Sequence, residues 1–165
     1  MKRLTLFLFV VCSSISYAQN SFDKGSSFVD LGVGISTWGI PVYGGFETAV
    51  ANNFTLGGRL SWRSWNEDIR GNGFNHNIFG IVSRGNYHVN EVLELPSNFD
   101  IYAGLNLGLY IYDSPSSYPG DSSSGLGLGA QVGGRYYFDE SWAVNLEIGG
   151  GNAASGGSFG VTKNF

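Results

Sequence analysis

His76 lies close along the chain to Ser64 and Asp68. A histidine beside a serine and a carboxylate is the set that acyl transfer or ester hydrolysis uses, provided nucleophile, base and orienting group meet. With two histidines and many serines in the sequence, neighbourhood along the chain does not establish that geometry, so no catalytic residue is assigned. His88 falls towards the other end of the same segment, away from that group. Glu91 and Glu94 read as charges solvating a rim and not as an acid–base pair.

Metal chemistry finds no regular donor set. Asp113 and Asp121 flank a serine-rich stretch and Glu67 and Asp68 are adjacent, but neither pair has the oxygen-donor spacing of a calcium loop. The run G-L-G-L-G-A (Gly125–Ala130) resembles a phosphate-cradling loop only superficially, because no helix follows it. Glycine there serves curvature and interior space. No metal and no cofactor is expected.

The ionisable residues that remain are ordered in another way. Asp30, Glu47, Arg59, Arg84, Asp100, Gln131, Arg135, Asn145 and Glu147 all fall in one register of segments that alternate with a period of two. The acids Asp30, Glu47, Asp100 and Glu147 face the bases Arg59, Arg84 and Arg135, with Arg63 at the rim as a candidate fourth. A buried charge without a partner costs several kcal/mol, whereas an Arg–carboxylate network roughly breaks even. The balance is what a closed interior demands.

The segments positioning these residues run near Ser27–Ser36, Pro41–Val50, Phe54–Trp62, Asn77–Val89, Phe99–Tyr112, Gly125–Phe138, Trp142–Gly150 and Ser158–Phe165. In D-I-Y-A-G-L-N-L-G-L-Y-I-Y (Asp100–Tyr112), every second residue from Ile101 to Ile111 is apolar, the mark of a strand with one greasy face. No window carries an apolar stripe at helical spacing, so the class is all-β. Short turns (Ala51–Asn53, Asp139–Ser141) alternate with longer polar segments: Arg63–Phe74, Asp113–Ser124 and Gly151–Gly157. Turns on one rim and loops on the other predict an eight-stranded antiparallel up-and-down transmembrane β-barrel. The connections Thr37–Ile40 and Asn90–Asn98 fit less well, the first short for an outer loop and the second long for an inner turn. A water-soluble sandwich would show the same alternation with the greasy face turned inward. Aromatics at strand ends favour lipid instead: Phe54, Phe99 and Trp142 at starts, Tyr87, Tyr136 and Phe138 at ends, as an interfacial girdle requires. Tyr43, Tyr102 and Tyr110 point inward with the charges and leave eight strands no wide channel. Trp38, Trp65, Phe74 and Tyr118 sit among Ser, Asn and Gly in the longer connections, a composition suited to recognition.

Composition agrees. Among 165 residues there are 26 glycines, 15% aromatics and only 13% charged residues, low for a water-facing domain. Met1–Ala18 has the charged start (Lys2, Arg3), apolar centre (Leu4–Val11) and small-residue end (Ser16-Tyr17-Ala18) of a secretory signal, giving domains 1–18 (cleaved signal peptide) and 19–165 (barrel). Cleavage removes Cys12, the one cysteine, and leaves seven basic against thirteen acidic residues, a net charge of −6. An acidic chain without a basic cluster excludes nucleic acid as the expected partner.

Three segments carry a resemblance. The ending S-F-G-V-T-K-N-F resembles the terminal aromatic signal read by the barrel-assembly machinery of Gram-negative outer membranes. Gly133–Gly149 (G-G-R-Y-Y-F-D-E-S-W-A-V-N-L-E-I-G) is similar to the penultimate hairpin of small outer-membrane β-barrel domain proteins, the "porin family" or OmpA-like barrels, and Phe99–Gly108 resembles their central strand. The resemblance implies an integral, multi-pass barrel of the outer membrane with both termini periplasmic and Phe165 as its assembly signal. It implies contact with outer-membrane lipid and with the assembly machinery during biogenesis, while loop composition, not the resemblance, raises an extracellular or envelope protein partner of unknown identity. No peptidoglycan-binding domain is expected after Phe165. The resemblance carries over no enzyme residues. The expected role is structural, adhesive or partner-docking, with a narrow pore or a rim-located lipid-modifying enzyme as alternatives.

Overall fold

The computed structural model describes residues 24–69, 71–120 and 123–165; the signal segment and Asp121 lie outside them. Eight strands occur in chain order: β1 (Ser27–Ser36), β2 (Val42–Ala51), β3 (Phe54–Ile69), β4 (Asn72–His88), β5 (Phe99–Asp113), β6 (Gly125–Tyr137), β7 (Trp142–Gly151) and β8 (Ser155–Asn164). Each pairs antiparallel with the next, and β1 pairs with β8 from Phe28↔Asn164 to Ser36↔Gly156, closing the barrel. Closure satisfies the ladder of every strand and leaves no edge.

Closure also decides which face is inside. Leu105, Leu128 and Leu146 are 67%, 62% and 62% exposed, while Arg135 and Glu147 are 2% and 8% exposed. The greasy register named above points outward from all eight strands, and the charged register fills the centre. At one rim, aromatics pair across strands: Phe54 with Tyr87, and Phe99 with Tyr136 at a ring separation of 5.1 Å. Trp142 and Phe165 flank Lys163, whose ammonium lies 4.9 and 5.9 Å from their rings. Trp62 and Phe79 pair at the opposite level. The eight residue steps from Phe54 to Trp62, at ~3.3 Å each and tilted by about 40°, span roughly 20 Å of height. That is close to the apolar band of a barrel in a bilayer.

The rim where β1 starts and β8 ends is the terminal rim, and the opposite one is the far rim. At the terminal rim β2 turns into β3 through Asn52-Asn53, with Asn53 at φ 61°, a left-handed conformation asparagine tolerates. The longer Asn90–Asn98 connection folds into turns closed by Leu93 N–H to Val89 O and Leu95 N–H to Asn90 O.

Two expectations need correction. Arg63–Phe74 is not a loop: β3 and β4 stay paired as far as Ile69↔Asn72 and rise above the rest of the far rim. The outward residues of that extension, Ser64, Asn66, Asp68 and Asn75, are polar, and Trp65 takes the inward register. Above the apolar band the pattern inverts, which gives it the composition of a loop. Similarly β8 starts at Ser155, inside a stretch of Gly and Ser whose small side chains carry no alternation.

Candidate functional site

Two constellations hold polar chemistry, one in the terminal half of the interior and one at the far rim. In the first, every strand contributes. Arg135 (β6) reaches Asp100 (β5) and Glu47 (β2) at 3.2 Å each and Asp30 (β1) at 3.5 Å. Arg84 (β4) bridges Glu47, 2.9 Å from its Nε, to Glu147 (β7). The Nε contact lies off hydrogen-bonding geometry, so it is an ion pair only. Arg59 (β3) ends the chain on Glu147 at 2.7 Å. The six residues Asp100–Arg135–Glu47–Arg84–Glu147–Arg59 thus form one continuous ladder, with Asp30 and His88 attached at its terminal end. His88 Nδ1 lies 2.7 Å from Asp100. On β8, Thr162 donates to Asp30 at 2.6 Å.

Neutral groups take up the remaining acceptors. Thr55 and Asn86 donate to Glu47, and Tyr102 donates to Glu147 at 2.9 Å. Gln131 donates to Asn86, and Asn145 to Thr162. Carboxylates that accept several bonds and pair with guanidinium are the form in which buried charge is tolerated. Glycine supplies the room: a Cβ on Gly133 would run into the Tyr102 hydroxyl and ring. All seven residues of the expected charge network are brought together here. Arg63, the candidate fourth base, is not: it lies farther up β3, and no carboxylate among the described residues is within ion-pair distance of it. Composition balanced the charges, but separation along the barrel axis keeps Arg63 apart.

At the far rim, Trp38 (β1–β2 connection), Trp65 (β3), Tyr112 (β5) and Tyr118 (β5–β6 connection) surround a pocket of about 220 Å³ with His76 (β4), Ile78 and Ser123. Trp38 meets Trp65 and Tyr112 edge-on at 5.4 and 5.9 Å. Tyr118 meets His76 at 4.5 Å and Phe74 at 5.4 Å. The four aromatics singled out from the sequence therefore lie in one cluster, though Trp65 and Phe74 sit on strands and not on loops. Tyr118 donates to Glu67 at 2.8 Å, and this bond holds its hydroxyl proton above the usual tyrosine range.

His76 does not pair with Ser64, which donates instead to Asn75 on the outer face. Its Nδ1 contacts Ser114 at 2.7 Å, a partner that sequence neighbourhood did not suggest. Its Nε2 lies 3.8 Å from Glu67 and has no hydrogen-bond partner among the described residues. The arrangement has a serine and a base, but the carboxylate that would orient the ring is engaged by Tyr118. Elsewhere, Glu91 accepts from Asn53 at 2.6 Å, Glu94 is exposed at the terminal rim, and Asp113 is exposed at the end of β5. Among the described residues no three acidic, histidine or cysteine side chains gather as a metal site.

Solved structures share this architecture. The fold is that of the eight-stranded outer-membrane barrels. The chain superimposes on the outer membrane protein OprG from Pseudomonas aeruginosa with a TM-score of 0.66 and 12% identity, covering 88% of this chain and 98% of that one. Neisserial surface protein A gives 0.58 and 15%, over 85% and 95%. A de novo designed transmembrane β-barrel gives 0.55 and 18%, over 87% and 98%. No family model matches, and no curated protein matches. A designed chain has no inherited role, so likeness at this level speaks for the fold, and role must come from the residues.

Proposed function

We propose that this chain is an integral, multi-pass outer-membrane barrel, exported by its N-terminal signal. In this reading it serves adhesion or partner docking through the aromatic cluster at its far rim. The observation that carries the reading is the convergence of Trp38, Trp65, Tyr112 and Tyr118 from three hairpins around one pocket. Rigid aromatic rings amid Ser, Asn and Gly offer contact area at low entropic cost. Lipid anchoring places no demand on these residues, because they lie above the apolar band and face inward.

In this reading the terminal rim is periplasmic and the far rim extracellular. The cleaved chain has no cysteine, so single cysteines report orientation cleanly. A membrane-impermeant maleimide should label Ser116→Cys on intact cells and leave Glu91→Cys unlabelled; the reverse pattern defeats the orientation. Docking is tested by glycan and envelope-protein arrays probed with folded barrel. Binding should be lost in Trp65→Ala while the heat-modifiable gel shift of the folded barrel persists. Binding unaffected by Trp38→Ala and Trp65→Ala would refute the role of the cluster.

The Ser114–His76 contact favours a second reading, a rim-located enzyme acting on lipid esters. Ester turnover by the purified barrel, abolished in both Ser114→Ala and His76→Ala, would establish it. Absence of turnover leaves docking as the reading supported by the cluster.

A further inference from the structure

Between the interior ladder and the far-rim cluster lies a second cavity, of about 140 Å³. On the same measure a single water needs about 10–15 Å³, so this space holds more than isolated solvent. Its walls are unevenly charged. Among the described residues Arg59, Arg63 and Arg84 all line it, against the carboxylate of Glu147 alone. Arg59 and Arg84 are already neutralised by Glu147, and Arg84 also by Glu47. Arg63 is not. Only 5% of it is exposed, its Nη1 donates to the Ser36 hydroxyl at 2.9 Å, and its guanidinium lies 5.9 Å from the Tyr110 ring. Its Nε is buried with no hydrogen-bond partner among the described residues, as is the Nε of Arg59, four residues away on the same strand.

A buried guanidinium with one neutral acceptor and no counter-charge is costly. Hydroxyl and π-face contacts offset only part of that cost. A partner that would complete the site must be anionic, must be small enough for the cavity, and must accept from a planar fork of donors. Carboxylate and phosphate oxygens have that geometry.

We propose that this cavity binds a small oxyanion, a carboxylate or phosphate, with Arg63 as its principal partner and the Ser61 and Tyr110 side chains as neighbours. The cavity reaches Ala153 and Ala154 in the β7–β8 connection, so the anion enters from the far rim. The site is separate from the aromatic pocket above it, and stands whether or not that pocket docks a partner.

The test uses the full barrel folded in zwitterionic detergent, with arginine Nε–H groups observed by nuclear magnetic resonance. Titration with inorganic phosphate, and separately with acetate, should move the Arg63 Nε signal in a saturable manner. The Arg135 signal, locked in the ladder, should stay in place. Sodium chloride at matched ionic strength should produce no saturable shift. Calorimetry should show Arg63→Gln weakening phosphate binding by at least about tenfold, with Arg63→Lys between the two, since a charge-assisted bond contributes that much and lysine keeps charge without the fork. An unmoved Arg63 signal in wild type overturns the proposal even if Arg63→Gln does not fold. So do an equal response to chloride and unchanged binding by folded Arg63→Gln.

Discussion

The Arg135 guanidinium on β6 lies 3.2 Å from the Glu47 carboxylate on β2, so the central ion pair of the interior spans the barrel instead of joining neighbouring strands. Such a pair ties opposite walls together. Arg135 also serves Asp30 and Asp100, and its removal leaves these two buried carboxylates without a guanidinium and Glu47 with that of Arg84 alone. Arg135→Met should therefore cost about 3–5 kcal/mol, the usual penalty for orphaning a buried charge, read as a lower urea midpoint for folding into detergent. Arg59→Met should cost much less, because Glu147 keeps Arg84. Equal effects of the two changes would show that the ladder is not the interior's anchor.

Glycine placement yields a paired prediction on one strand. A Cβ at Gly133 collides with the Tyr102 side chain, whereas one at the outward-facing Gly134 meets only the Asp100 carbonyl at 3.4 Å. Gly133→Ala should destabilise by about 1–3 kcal/mol through overpacking, and Gly134→Ala should be close to neutral. The unfolding temperature in a heat-modifiable gel assay distinguishes them. A larger loss at Gly134 would mean that the inward and outward registers are assigned the wrong way round.

The far-rim cluster has a pH signature. Donation from Tyr118 to Glu67 raises the tyrosine above its ordinary value. A raised folded value means that the stabilisation is complete below the ordinary tyrosine range and fades as pH rises through the folded one. Ultraviolet difference titration should show Tyr118 among the late-titrating tyrosines, and Glu67→Gln should return one of that group towards the normal range. A titration curve unchanged by that substitution would contradict the bond.

At the terminal rim the sign reverses. Asp139 accepts from the backbone N–H groups of Ser141 and Trp142 at 2.7 and 2.8 Å, and these bonds hold its carboxyl below the usual aspartate range. The stabilisation is present above the ordinary value and lost as pH falls through the depressed one. Asp139→Ala should lower the urea midpoint at neutral pH, and the gap from wild type should close on acidification. A gap constant with pH would assign the turn to backbone geometry alone.

Much of this was legible in the residues. Alternation in Asp100–Tyr112 placed Leu105 outside and Asp100 inside, and a shared register named every member of the ladder. Which acid meets which base was not legible, because Glu47 and Arg135 meet across a lumen whose register is set by closure. Trp65 and Phe74 passed for loop residues because their strands run beyond the apolar band, where polar side chains face outward. Ser114 escaped notice because pairing of β4 with β5 at Asn77↔Asp113 brings it to His76 from a distant part of the chain. Arg63 was grouped with the ladder by its charge, and only its height on β3 separates it.

The central claim is that the greasy register faces acyl chains, and spin labels at Leu105, Leu128 and Leu146 in lipid vesicles test it most directly. Each label should be relaxed strongly by oxygen and weakly by a water-soluble nickel complex, while the protein stays insoluble as a monomer without detergent or lipid. Labels shielded from both reagents, in a chain that folds as a monodisperse detergent-free monomer, would contradict it.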